Sequence, residues 1–293
     1  MKKQITQKKM GFSLIELSIV ILVIGLLVLG ITKGSSIITK AKIGSAKSLT
    51  KGSPVALTDN LVAWYEPTLT TSFTQEEAFD GEDLTVNDGA SWFDNSPTRA
   101  NNATTVLGTV LPQYVESSTN SLPAVRFAAS STTDSSIAFN SLSLNQRGYT
   151  IFIVERRSAA TGELLGLGGT GGNNTIEYGE TDELGNASTG FANVTAFGSA
   201  VPRISTFLSD DTGLKVAING AVDQTNDVEA AALLTATATG LIGDSDAGTA
   251  NTGYTGDISE IIIFNRGLKT AERNDIQDYL SKKYSINVTV SAS

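Results

Sequence analysis

The chain of 293 residues contains neither cysteine nor histidine. Without cysteine no disulfide can staple a small core, and thiolate chemistry is excluded. A globular part of more than ~200 residues must then cohere by burial alone, which that size permits. Without histidine, Ser-His-Asp and Cys-His nucleophiles and every imidazole metal site are excluded in one step. Any catalysis would fall to carboxylates, lysine, tyrosine or a hard cation. Positive charge is also scarce: 21 Lys and Arg against 30 Asp and Glu leave a net charge of −9. Nucleic-acid binding needs a basic groove or patch, so no nucleic-acid partner is expected. What basic charge there is gathers early, at Lys2, Lys3, Lys8 and Lys9, then at Lys33, Lys40, Lys42, Lys47 and Lys51. No acid separates Glu16 from Asp59, so this second lysine group reads either as a solvated helix face or as a contact for headgroups or acidic neighbours.

Between those two groups lies the longest apolar run, from Phe12 to Ile31. At ~1.5 Å per helical residue its ~20 residues match a bilayer core, which predicts a transmembrane and assembly helix over 12–51. A secretory signal core is shorter, roughly 7–15 residues, with a small-residue cleavage site after it; here the glycine, Gly11, comes first. Glu16 sits inside the run, where a carboxylate in hydrocarbon costs about 2.5–3.5 kcal/mol and needs a compensating partner.

Gly11, Phe12, Ser13, Leu14, Ile15, Glu16 and Leu17 on a short basic leader resemble the amino terminus of the type IV pilin and pseudopilin superfamily. The resemblance implies a leader over 1–11, removed by a prepilin peptidase after Gly11, and methylation of the new terminus at Phe12. It implies that Glu16 pairs with the terminal amine of a neighbouring subunit, since two opposite charges in a low-dielectric bundle are better off together. The partners so implied are other pilin subunits, the peptidase and the inner membrane. The implied location is the inner membrane as precursor, then an extracellular filament or an envelope-spanning pseudopilus. Many pilins close a loop with a cysteine pair; this chain departs from them.

Lys51-Gly52-Ser53-Pro54 predicts a helix stop and a linker over 52–57. The texture then changes. Over 58–293, short apolar or β-branched runs (Leu61–Trp64, Ala124–Phe127, Tyr149–Glu155, Leu164–Leu167, Arg203–Leu208, Leu214–Ile218, Leu241–Ile242, Asp257–Phe264) alternate with Gly, Asn, Asp, Ser and Thr clusters. Such spacing predicts an antiparallel β-sandwich of jelly-roll type. Asn219-Gly220 predicts a type I′ hairpin. One short helix is expected near the end, capped by Thr270 and carrying Lys282 and Lys283 at its negative end. The fold class expected is therefore mainly β, behind a long amino-terminal transmembrane helix.

Leu61–Tyr65, Trp92–Ser96 with Asn101–Ala103, Leu122–Phe127 and Gly256–Arg266 followed by Glu272 and Tyr279 resemble, in that order, the concanavalin A-like and laminin-G-like sandwich domains. Domains of that kind host lectins, hydrolases and adhesion modules alike. They often bind calcium through loop oxygens, and calcium takes six to eight of them; Asp244 and Asp246, with Asp257, are the candidate ligands. A glycan or other surface ligand would want an exposed ring. Trp64 and Trp92 read as core, while Tyr254, in a Gly/Thr/Asn loop, reads as the surface ring. The sequence argues against a laminarinase-like enzyme, whose Glu-x-Asp-x-x-Glu puts alternate carboxylates on one strand face. Here Glu180-x-Asp182 is followed by Gly185 in place of the last acid. By compactness, ~230 residues form a body roughly 45 Å across, bulky for a subunit repeated along a thin filament. The sequence thus reads as a minor or tip pilin presenting an adhesive, lectin-like sandwich. The rival readings are a main structural pilin and a secretion pseudopilin.

Overall fold

The computed structural model describes residues 14–73, 92–107, 110–129, 135–140, 142, 144, 148–159, 161–167, 175–178, 183–186, 190–193, 200–210, 213–226, 240–244 and 252–289. It divides at Lys42 into a helical unit and a sandwich unit that begins at Ile43.

Helix α1 (Leu14–Lys51) is 38 residues long and runs unbroken through Gly34-Ser35-Ser36 and Gly44-Ser45. Leucine, isoleucine and alanine on either side carry those weaker turns. Among the described residues, however, no helix is long and apolar enough to cross a membrane. This corrects the expected transmembrane helix. Leu14 to Val28 include a run of exposed apolar side chains, and Ile37 and Ile38 are exposed too. The inner-membrane precursor, and the route from it to an extracellular filament or pseudopilus, fall with that helix.

The sandwich unit opens with the last turns of α1 and a short 3-10 turn at Val55–Leu57. Its strands are β1 (Leu61–Tyr65), β2 (Ala103–Leu107), β3 (Gln113–Thr119), β4 (Leu122–Phe127), β5 (Ser136–Phe139), β6 (Tyr149–Arg157), β7 (Gly162–Gly166) and β8 (Thr175–Tyr178). There follow β9 (Glu183–Asn186), β10 (Gly190–Asn193), β11 (Arg203–Asp210), β12 (Gly213–Ile218), β13 (Ala221–Asn226), β14 (Gly240–Ile242) and β15 (Gly256–Phe264), and then helix α2 (Thr270–Tyr284). One sheet has eight strands in the order β13-β12-β11-β6-β15-β4-β3, with β1 on the far half of β15; the other has seven, β10-β9-β8-β7-β14-β5-β2. The ladders are antiparallel throughout the described residues. The mainly β, antiparallel architecture with a short final helix agrees with the sequence.

Side-chain alternation divides the first sheet between two cores. From β6, Ile151 and Ile153 join Phe127, Phe139, Phe207, Ile261 and Ile263 between the sheets. The alternate residues Phe152 and Val154 join Ile262, Phe264 and Ile204 on the outer face, under Ile276, Tyr279, Leu280 and Tyr284 of α2 and Ala46 of α1. That double coverage explains why the second half of β15 reads Ile261-Ile262-Ile263-Phe264: a stretch covered on both faces has no polar side to alternate with.

At Asn219 and Gly220, φ of 50° and 80° make the turn joining β12 and β13, as Asn-Gly demands of a type I′ hairpin. The start of α2 differs from expectation. Lys269, not Thr270, is the cap residue, and its N–H donates to the Glu272 carboxylate at 2.8 Å, the reciprocal half of a capping box.

Lys283 stands in the last turn of α2 as expected, and it is buried there, with Nζ 2.8 Å from Glu66 Oε2 and 2.8 Å from Glu260 Oε2. Glu66 accepts further hydrogen bonds from Thr68 N–H and Oγ1, Leu69 N–H and Ser72 Oγ. Glu260 accepts from Trp64 Nε1 and the hydroxyls of Tyr279 and Tyr284. A buried ion pair is tolerable only when its remaining valences are satisfied, and here nearly every oxygen lone pair has a donor. The cluster joins the loop after β1, the middle of β15 and the end of α2.

Candidate functional site

The first sheet ends, on one side, in a row of charges. Asp257 near the start of β15 is directly opposite Arg126 on β4 and Arg156 on β6. All three side chains lie on the sheet's outer face, by the parity that puts Val125 and Ile153 inside. Arg126 grips Asp257 with two parallel bonds, Nε to Oδ1 at 2.7 Å and Nη2 to Oδ2 at 3.0 Å. Arg156 Nη2 donates to Oδ2 at 2.6 Å, as does Ser118 Oγ. Burial would raise the Asp257 carboxyl, but the bonds from Arg126, Ser118 and Arg156 outweigh it and hold it below the usual range. The carboxylate is 3% exposed, while the Arg126 and Arg156 side chains are 45% and 30% exposed.

These residues line a pocket of about 290 Å³, completed by Phe127, Ala128, Arg157, Ser158, Ala200, Thr255 and Gly256. Its walls are tied by Ser158 N–H to the Thr255 carbonyl at 2.9 Å and Ala200 N–H to the Arg157 carbonyl at 2.7 Å. Gly256 has φ of +153°, and a Cβ there would stand 2.6 Å from the Arg156 carbonyl oxygen. Only glycine lets β15 enter the sheet so close to β6. Arg157, one residue on from Arg156, faces the other way and lies over the Tyr178 ring at 4.7 Å. Arg203 lies over the same ring at 4.8 Å and pairs with buried Glu155. Glu155 also accepts from the Tyr178 and Tyr254 hydroxyls at 2.5 and 2.6 Å. Burial first, and the Glu155 charge second, push both phenols well above their ordinary range. This inner cluster braces the floor beneath the pocket.

The residues singled out from sequence fall as follows. Asp257 belongs to the pocket, but two guanidiniums crowd its carboxylate where a calcium would need further oxygens. Asp244 is buried, its carbonyl accepting from Gly166 N–H at 3.0 Å; Asp246 lies outside the described residues. Among the described residues no group of three acidic side chains gathers to hold a metal. Gly11, Phe12, Glu180 and Asp182 lie outside the described residues, and Glu16 is exposed near the start of α1. Trp64 and Trp92 are core, as read. Tyr254 is not the surface ring: it is 1% exposed and bonded to Glu155. Its Gly/Thr/Asn surroundings signal a turn, and a turn's aromatic can point inward. The arginines were missed because their sole sequence signals, Arg126 inside an apolar strand and the Arg156-Arg157 pair, do not reveal which strands are neighbours.

Neither a family model nor a curated protein matches the chain. Solved structures do. The fourth domain of an extracellular arabinanase from Geobacillus stearothermophilus, determined in complex with arabinotriose, superposes with a TM-score of 0.50 at 18% identity, covering 75% of this chain and 98% of that domain. A Trypanosoma rangeli sialidase mutant displaying trans-sialidase activity gives 0.50 at 14%, over 86% of this chain and 40% of the enzyme. A structure of botulinum neurotoxin type C, whose cell entry depends on two ganglioside molecules, gives 0.51 at 13%, over 78% and 53%. The chain thus spans about half or less of the sialidase and toxin chains. At these identities the likeness establishes the β-sandwich fold. It does not bear on the Gly11–Leu17 motif.

Proposed function

We propose that the chain is a ligand-binding, lectin-like β-sandwich module joined to a helix that associates with like subunits, in the manner of a minor or tip pilin. The observation that carries the binding half is the pocket at the β4–β15–β6 end, with exposed hydrogen-bond donors on rigid strands. The arabinanase domain lends support, being the same fold bound to an oligosaccharide. Asp257 is the one carboxylate in the pocket's lining and is bonded to Arg126 and Arg156, which supports a binding reading. The association half rests on the Gly11–Leu17 resemblance and on α1 itself. Leu14, Ile15, Leu17, Ile19, Val20, Ile21 and Leu22 are all exposed, and a helix apolar all round is one that neighbours bury. Like copies of the same segment are the occupants this reading names. Screening the full chain against a glycan array tests the binding half. Saccharide binding that survives washing supports it, and a folded protein that captures none refutes it.

A further inference from the structure

We propose, building on that binding reading, that the pocket takes an acidic saccharide, its carboxylate seated on the guanidiniums of Arg126 and Arg156. Two guanidiniums, Arg126 and Arg156, and one carboxylate, Asp257, face the pocket. The local balance is therefore positive in a chain whose net charge is −9. In a chain of net negative charge such a locally positive spot draws anions, and that contrast gives selectivity as well as attraction.

Asp257 demonstrates the fit. Arg126 presents Nε and Nη2 to both of its oxygens, the planar fork that suits a carboxylate. A guanidinium has five N–H donors, and Arg156 gives one of its own, from Nη2, to Asp257. The partly exposed side chains of Arg126 and Arg156 open on the pocket side. Thr255 and Ser158 add hydroxyls at the rim. The lining also argues against a neutral sugar, which would be recognised chiefly by stacking on an exposed ring. Phe127, the one aromatic in the lining, is 1% exposed. A pocket of about 290 Å³ sits at the small end of ligand pockets and suits one sugar unit.

Isothermal titration of the full chain with trigalacturonate, sialyllactose, a sulfated galactan oligosaccharide and neutral lactose tests this. Binding of the two carboxylated probes, weakening as salt rises, is expected, with lactose at least tenfold weaker. Arg126→Gln should lower affinity roughly tenfold or more. Asp257→Asn removes the internal competitor and should raise affinity for the same probes. A merely structural role for Asp257 predicts the opposite sign, so this variant separates the two even if Arg126→Gln folds poorly. Equal binding of lactose, preference for the sulfated probe alone, or weaker binding by folded Asp257→Asn would overturn the inference while leaving the module reading intact. If the folded chain binds no saccharide at all, both fall.

Discussion

Replacing Lys283 with methionine, which has similar length and no charge, would strand two carboxylates in the sheet–helix core. In the native protein burial pulls the Glu66 carboxyl upward, yet the charge and hydrogen bond of Lys283, with bonds from Thr68 and Leu69, hold it below its ordinary value. Burial likewise opposes the Lys283 charge, and Glu260 and Glu66 more than restore it. Removing one member of such a buried pair typically costs about 3–5 kcal/mol. For a domain of this size, at ~2–4 °C per kcal/mol, the melting temperature should drop by roughly 6–20 °C. The sign of the pH dependence is fixed by the same chemistry. Native Glu66, with its lowered folded value, contributes stability above its unfolded value that is lost as pH falls through the folded one. In the variant, without Lys283, burial raises the Glu66 carboxyl and the variant regains stability on its protonation. The gap between the two proteins should therefore narrow between neutral pH and about pH 4–5. Thermal denaturation followed by circular dichroism across that range is the assay. Adding Glu66→Gln and Glu260→Gln to Lys283→Met should recover much of the loss. A drop under ~2 °C at neutral pH, or a gap that widens in acid, would refute the assignment of Lys283 as the counter-charge.

Gly220→Ala should cost about 1–3 kcal/mol in chemical denaturation, because φ is +80° and the new Cβ would stand 2.2 Å from the Thr289 carbonyl oxygen; an unchanged midpoint would contradict the type I′ turn. Glu272, held at about 2 chiefly by its hydrogen bonds to Arg266, contributes stability above its unfolded value that disappears as pH falls toward 2. Its side chain is 32% exposed, so Glu272→Gln should cost only about 1 kcal/mol or less at neutral pH, with the difference vanishing in acid. Glu16→Ala, at an exposed position in the helical unit, should leave the sandwich melting temperature unchanged while weakening self-association in sedimentation; full assembly would remove Glu16 from the proposed contact.

Local chemistry made much of the sandwich legible in the sequence. Each apolar run bounded by turn residues became a strand, and Asn219-Gly220 named its own turn type. What stayed hidden was pairing. Glu66, Glu260 and Lys283 meet across more than 200 residues of chain, and no local pattern announces that a lysine at a helix end turns inward. The same holds for the pocket: Arg126, Asp257 and Arg156 are neighbours only because β15 lies between β4 and β6. Where local texture misled, tertiary context had decided otherwise. Tyr254 sits in a polar loop yet points into the floor beneath the pocket. The apolar run after Gly11 does form a helix, but among the described residues no helix is long and apolar enough to cross a membrane.

The position of β15 has a temporal consequence. This strand lies between β6 on one edge and β4 and β1 on the other, yet it follows all of them in the chain. Until residues 256–264 have emerged from the ribosome, β6 and β4 each show an unpaired edge flanked by isoleucine, valine and phenylalanine. Such edges invite pairing with other chains. Sheet closure that waits for the last strand is also slow, since the loops are long when the contacts form. Nascent copies should therefore depend on holding factors until β15 inserts and α2 closes over it, with Lys283 as the final bolt.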